Sequence, residues 1–186
     1  MAQQRFKQLS LDKMSPEQRR IAERASAGPI KRVSPPLNIF LRDPNVADLA
    51  ERLGDYTRFH SPIPFRLKEL ITLIVARNFT AQFPWAVHYS TIPKAGLNVH
   101  AIDQIAAGRQ PEGLKSDEQV VYDFCTTLLA GKKPSDATFQ AMVEQHGESG
   151  IAAVIGLMGY YCMNNMAHNL DPVSPVQVVE PLKPLR

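Results

Sequence analysis

The chain has 186 residues, a formal net charge of +3 at neutral pH and 44 % hydrophobic residues. That length fits one domain of ordinary size with an appended arm, and the hydrophobic share excludes a disordered chain. With so small a net charge and no basic stripe or Arg-rich helix, there is little electrostatic case for nucleic acid.

The N-terminus lacks the basic region, apolar stretch and cleavage site of a secretory leader, so the expected compartment is the cytoplasm. Residues 1–43 read as an N-terminal arm. Ser15 as N-cap and Pro16 at the first helical position predict a short helix to Ala27. The following "RVSPPLNIFLRDP" is Pro-restricted and predicted extended, laid over the main domain or a neighbouring subunit.

Residues 44–170 read as helical throughout. "NVADLAERLGDYTRF" carries Val46, Leu49, Leu53 and Tyr56 at helical spacing. Ser61 and Pro64 introduce "FRLKELITLIVARNF", apolar nearly all round from Leu70 to Ala76 and so predicted to be central. Pro84 opens the next helix, which Pro93 and Gly96 close. Asn98 caps a short helix that stops at Gly108. Ser116 with Gln119 reads as a capping box, and Ser135 as the N-cap of a further helix. The last helix runs from about Glu148 to His168. No apolar run reaches the roughly 18–20 residues of a membrane span. Residues 171–186 hold four prolines and are predicted to be an extended tail. The fold class is all-α, with no strand of convincing alternation.

Several polar residues sit on these core helices. Glu69 reads either as a helix-dipole partner paired with a cation such as Arg66, or as a desolvated carboxylate suited to acid/base work. His88 reads as a structural hydrogen-bonder or as the partner of Glu69, since a short turn between their helices can bring the two together. Trp85 alone is a core residue before it is a substrate platform. Tyr161, Asn164, Asn165 and His168 form one polar stripe, either a solvated face or the lining of a pocket or interface. His60, one turn after Tyr56, is placed to line a site. Cys125 and Cys162 have neither metal nor redox spacing and read as buried thiols. No metal-binding spacing and no cofactor motif is present.

The stretch "ELITLIVARNFTAQFPWAVHYSTIPKAGLNVHAIDQIAAG" resembles the core motif of the carboxymuconolactone decarboxylase family, which includes the alkylhydroperoxidase-D-like proteins. The resemblance rests on Glu69, Ala76-Arg77, Phe83-Pro84-Trp85, His88, Ala95-Gly96-Leu97 and Gly108, and on "GIAAVIGLMGYYCMNNMAHNL" with its Gly-Tyr-Tyr. It covers roughly residues 45–170. It implies an alkylhydroperoxidase-D-like bundle of about six to eight helices, assembled as a homo-oligomer, a trimer or hexamer. The peroxidase branch carries a Cys-x-x-Cys pair where this chain has Ala81 and Pro84, so thiol peroxidase chemistry is disfavoured. The decarboxylase side remains: decarboxylation or double-bond isomerisation of a small carboxylated ring-cleavage product of aromatic catabolism. His88 would be general base and acid, Glu69 would orient it or share the proton, and Arg77 or another cation would hold the substrate carboxylate. Trp85, Tyr56, His60, Tyr161 and Asn165 complete the expected substrate-binding set. The alternative is a non-catalytic oligomeric or stress-associated member of the same family.

Overall fold

A computed structural model describes residues 5–175 and 179–184, and they form an all-helical bundle. After a single 3-10 turn at Leu11–Lys13, the chain forms α1 (Pro16–Ala27), α2 (Pro35–Phe40) and α3 (Pro44–Asp55). Then come α4 (Phe65–Asn78), α5 (Gln82–Tyr89), α6 (Ile92–Ala95) and α7 (Val99–Ala106). The chain closes with α8 (Ser116–Leu129) and α9 (Asp136–Leu170). No helix among the described residues is long and apolar enough to cross a membrane.

α4 is the axis of the molecule. Every residue from Leu67 to Arg77 is buried, and α5, α8 and α9 pack around it. Such a helix needs apolar neighbours on all sides, which accounts for its unbroken hydrophobic run. The first buried cation in it, Lys68, donates to the Arg58 and Ser61 carbonyls at 3.1 Å each.

Local chemistry sets the ends of the elements. Ser15 and Gln18 form a reciprocal capping box at α1. Asn98 accepts from the His100 N–H, and Ser135 from the Thr138 N–H. At α8 the cap lies one residue earlier than Ser116: the Lys115 N–H donates to the Glu118 carboxylate at 2.8 Å. That carboxylate also pairs with Arg66, which is thereby drawn away from Glu69. α5 likewise starts before Pro84, which sits in its first turn where the missing N–H costs nothing. Inside α9, Gly147 takes a φ of 65° and divides the element into two helices.

Two further expectations are corrected. Residues 35–40 are not extended: Ser34 accepts from the Leu37 N–H, and Pro35 and Pro36 occupy the first turn of α2. The arm also owns a small core of Met14, Ile21, Ala22, Leu37, Leu41 and Ala47, separate from the main one. On α3, the Val46, Leu49, Leu53 and Tyr56 face is not the buried one; Leu49 is 64 % exposed. Ala47, Ala50 and Gly54 face inward instead, because the helix approaches Tyr160 too closely for a side chain at position 54.

Residues 171–175 and 179–184 follow α9 without helix. The side-chain amide of Gln82 ties the tail down. Its Nε2 donates to the Leu182 carbonyl and its Oε1 accepts from the Leu182 N–H, both at 2.9 Å. The rest of the expected tail, 176–178 and 185–186, lies outside the described residues, as do residues 1–4.

Candidate active site

α4 and α5 form a helical hairpin closed by Phe79, Thr80 and Ala81. Thr80 takes a φ of 50°, and the Ala81 N–H reaches back to the Ala76 carbonyl at 2.9 Å. Glu69 lies eight residues before Arg77, and His88 eight after Thr80. Both legs therefore rise about 12 Å from the turn, and the hairpin brings the two side chains level.

His88 Nδ1 lies 2.8 Å from Glu69 Oε2. The same carboxylate oxygen accepts from the Thr91 hydroxyl, which also sits 2.7 Å from the His88 carbonyl. On the far side of the imidazole, the Tyr161 hydroxyl lies 3.1 Å from Nε2, with the two rings edge-to-face. Burial pushes the Glu69 carboxyl up. The hydrogen bond and charge of His88, the Thr91 hydroxyl and Lys94 outweigh that and hold it below the usual carboxylate range. Glu69 is thus an anion that accepts the Nδ1 proton, and in the neutral form of the imidazole the Nε2 lone pair accepts from Tyr161. Burial pushes the Tyr161 phenol well above its ordinary range, so it stays a proton donor.

This chain of groups stands on the wall of a cavity of about 290 Å³. Phe59, Phe65, Phe83 and Leu157 give it an apolar lining, and Ile30 to Pro36 of the arm contribute to its closure. Its cations are Arg32, Arg58 and Lys68. Lys68 spends two of its three N–H donors on backbone carbonyls. Arg58 spends its Nε–H on the Gly54 carbonyl while its guanidinium lies over the Phe59 and Tyr160 rings. Neither pairs with a carboxylate among the described residues. His168, stacked on Phe83 with ring centroids 4.7 Å apart, lines the same space.

No family model and no curated protein matches the chain.

Of the expected site residues, the structure brings together Glu69, His88 and Tyr161. The other five are elsewhere. Tyr56 is half exposed just past the end of α3, and His60 is exposed and paired with Asp55 at 3.1 Å. The five-residue π turn Tyr56–His60 carries both away from the cavity and leaves Arg58 facing it. Trp85 and Arg77 border a different cavity, of about 720 Å³, beside the tail. Arg77 is eight residues along α4 from Glu69, too far to hold a carboxylate at His88. Asn165 is fully buried outside the cavity lining, with both amide atoms unpartnered.

Thr91, Arg58 and Lys68 were not read from the sequence as site residues. Lys68 had a visible signal, a lysine inside the most buried helix next to its one carboxylate. Thr91 and Arg58 had none, since their roles depend on how α6 and the π turn fold back. Neither thiol is near this chemistry: Cys125 is buried and Cys162 half-buried, neither lines the cavity, and burial pushes both pKa values up. Among the described residues no cluster of His, Cys, Asp and Glu is arranged to hold a metal.

Proposed function

We propose that this chain is an acid/base enzyme acting on a small carboxylated, unsaturated ring-cleavage product, by decarboxylation or double-bond isomerisation. The observation that carries the reading is the Glu69–His88–Tyr161 chain on the wall of one cavity that also holds uncommitted cations. It agrees with the decarboxylase side of the family that the motif resembles.

In this reading, Lys68 and Arg58 take a substrate carboxylate with their free N–H groups. For isomerisation, His88 Nε2 removes the proton next to a conjugated carbonyl, and the electron pair moves into that carbonyl as a dienolate. The Tyr161 O–H, released from Nε2, donates to the enolate oxygen. His88 then returns the proton at the far carbon. For decarboxylation, the bond to the departing carboxylate breaks, CO₂ leaves and its electron pair enters the same carbonyl. Imidazolium at His88 supplies the proton to carbon, and solvent restores it. Glu69 stabilises the imidazolium in either case, a positioning that general acid/base catalysis rewards by about 10²–10⁴ in rate. The test is a screen of carboxylated muconolactones and oxo-dienoic acids with product identification by NMR. Turnover by the wild type that persists undiminished in His88→Gln would refute the assignment.

The same reading has the chain working as a homo-oligomer, a trimer or hexamer by the resemblance. Supporting it, the exposed face of α3 (Val46, Leu49, Leu53, Tyr56) adjoins α9, where Leu53 meets Gly156 and Ile155 is exposed. A contiguous apolar surface of this kind is characteristic of association sites.

A further inference from the structure

The end of α4 opposite Glu69 carries a feature that this chemistry leaves unused. Arg77 is only 5 % exposed, and its Nε is buried without a hydrogen-bond partner. Its Nη1 makes one long contact, 3.5 Å to the Thr80 hydroxyl. It forms no ion pair with any described carboxylate. A guanidinium keeps its charge at any physiological pH, so burial without a counter-ion is a standing cost that a bound anion would remove.

Space for that anion exists beside it. Arg77 and Arg109 both line a cavity of about 210 Å³ where the C-terminal ends of α4, α7 and α8 meet. The turn after α7 sets the Arg109 backbone at its rim: Gly108 takes a φ of 70°, and the Arg109 N–H bonds the Gln104 carbonyl at 2.9 Å. Among the described residues no acidic side chain lines this cavity, and Ile74, Ile105 and Leu129 supply apolar wall. The cavity on the other side of Arg77 does contain acids, Asp103 and Glu180, but Asp103 already accepts from the Tyr89 hydroxyl at 2.7 Å and Glu180 is solvent-exposed.

We infer that the 210 Å³ cavity is a binding site for a small organic anion, its charged end taken by Arg77 and Arg109 and its short apolar body lying on Ile74, Ile105 and Leu129. The cavity is smaller than those that enclose drug-sized ligands, which restricts the occupant to a compact carboxylate or phosphate. It shares no lining residue with the Glu69–His88 cavity, so the inference stands independently of the proposed reaction.

Benzoate and inorganic phosphate, titrated separately into the full chain by calorimetry, test it. One of the two binds the wild type and binds His88→Gln with equal affinity; preference for benzoate assigns a carboxylate ligand, and preference for phosphate a phosphate. Arg77→Met weakens that binding at least roughly tenfold, as expected for loss of a charged hydrogen-bonding partner. Arg109→Ser, at an exposed residue, weakens it roughly twofold to fivefold. Without added anion, Arg77→Met melts no lower than the wild type, since an uncompensated charge has been removed. Failure of both anions to bind the wild type overturns the inference, as does undiminished binding in Arg77→Met. So does an anion-free Arg77→Met protein that melts well below the wild type. If that variant does not fold, undiminished binding in Arg109→Ser overturns it instead.

Discussion

In the proposed reading Glu69 and His88 act as one group, because the carboxylate accepts the Nδ1 proton and turns Nε2 to the cavity side. His88→Gln is expected to lower turnover about 10²–10⁴-fold with the helical circular dichroism spectrum retained. Glu69→Gln, which can still bond Nδ1 but cannot neutralise an imidazolium, should lose about 10²-fold or more in kcat at similar KM. Tyr161→Phe, lacking the enolate donor, should fall by about 10²-fold. Steady-state kinetics on the substrate found by the screen separates the three. His168 has a different signature. Burial, then the positive charge of His88, pulls its pKa down from 6.5 to about 4. Between those values the unfolded chain binds the proton and the native one does not, so stability falls as pH drops from 6.5 towards 4. The loss from this one group is at most about 3 kcal/mol. Urea unfolding across that range should show a shallower decline in His168→Leu than in the wild type. At this scale the sequence spoke clearly only where chemistry was unusual for its setting. A carboxylate and an imidazole on core helices were legible, whereas Thr91 and Arg58 are ordinary residues brought to the candidate site by position.

The hairpin of α4 and α5 was legible as two helices and a short turn, and its register follows from equal legs. The buried face of α3 was not. Hydrophobic spacing pointed to Val46, Leu49, Leu53 and Tyr56, yet Ala47, Ala50 and Gly54 face the core. Periodicity ranks residues by apolarity, but close helix approach selects for smallness, and the two criteria part company here. A methyl group at position 54 would lie 2.4 Å from two atoms of the Tyr160 ring. Gly54→Ala should gain up to about 1 kcal/mol in helix propensity and lose about 1–3 kcal/mol to overpacking. Overpacking wins, so thermal denaturation should show a lower midpoint. Because Tyr160 lines the cavity and carries Arg58 on its face, KM should rise with it.

For the whole molecule, the all-α class and the central helix were readable because α4 is apolar on every side. How the first 43 residues sit was not, since proline restricts the backbone without saying what it packs against. If the outward face of α3 is a subunit contact, Leu49→Glu should convert the wild-type oligomer into a smaller species, read by light scattering after size exclusion.

The arm's private core has a kinetic meaning. Its Met14, Ile21, Leu37 and Leu41 cluster shares no residue with the core around α4, so it is expected to open before that core, which hydrogen exchange would show as lower protection in α1 and α2 than in α4. The segment it anchors, Ile30 to Pro36, forms part of the cavity wall. In the proposed reading, traffic of substrate and product would be coupled to a sub-global opening whose free energy is set by a handful of side chains, none of them Glu69 or His88. The speed limit of such a protein would be written in the packing of its first helix, and evolution could tune turnover there without touching a catalytic atom.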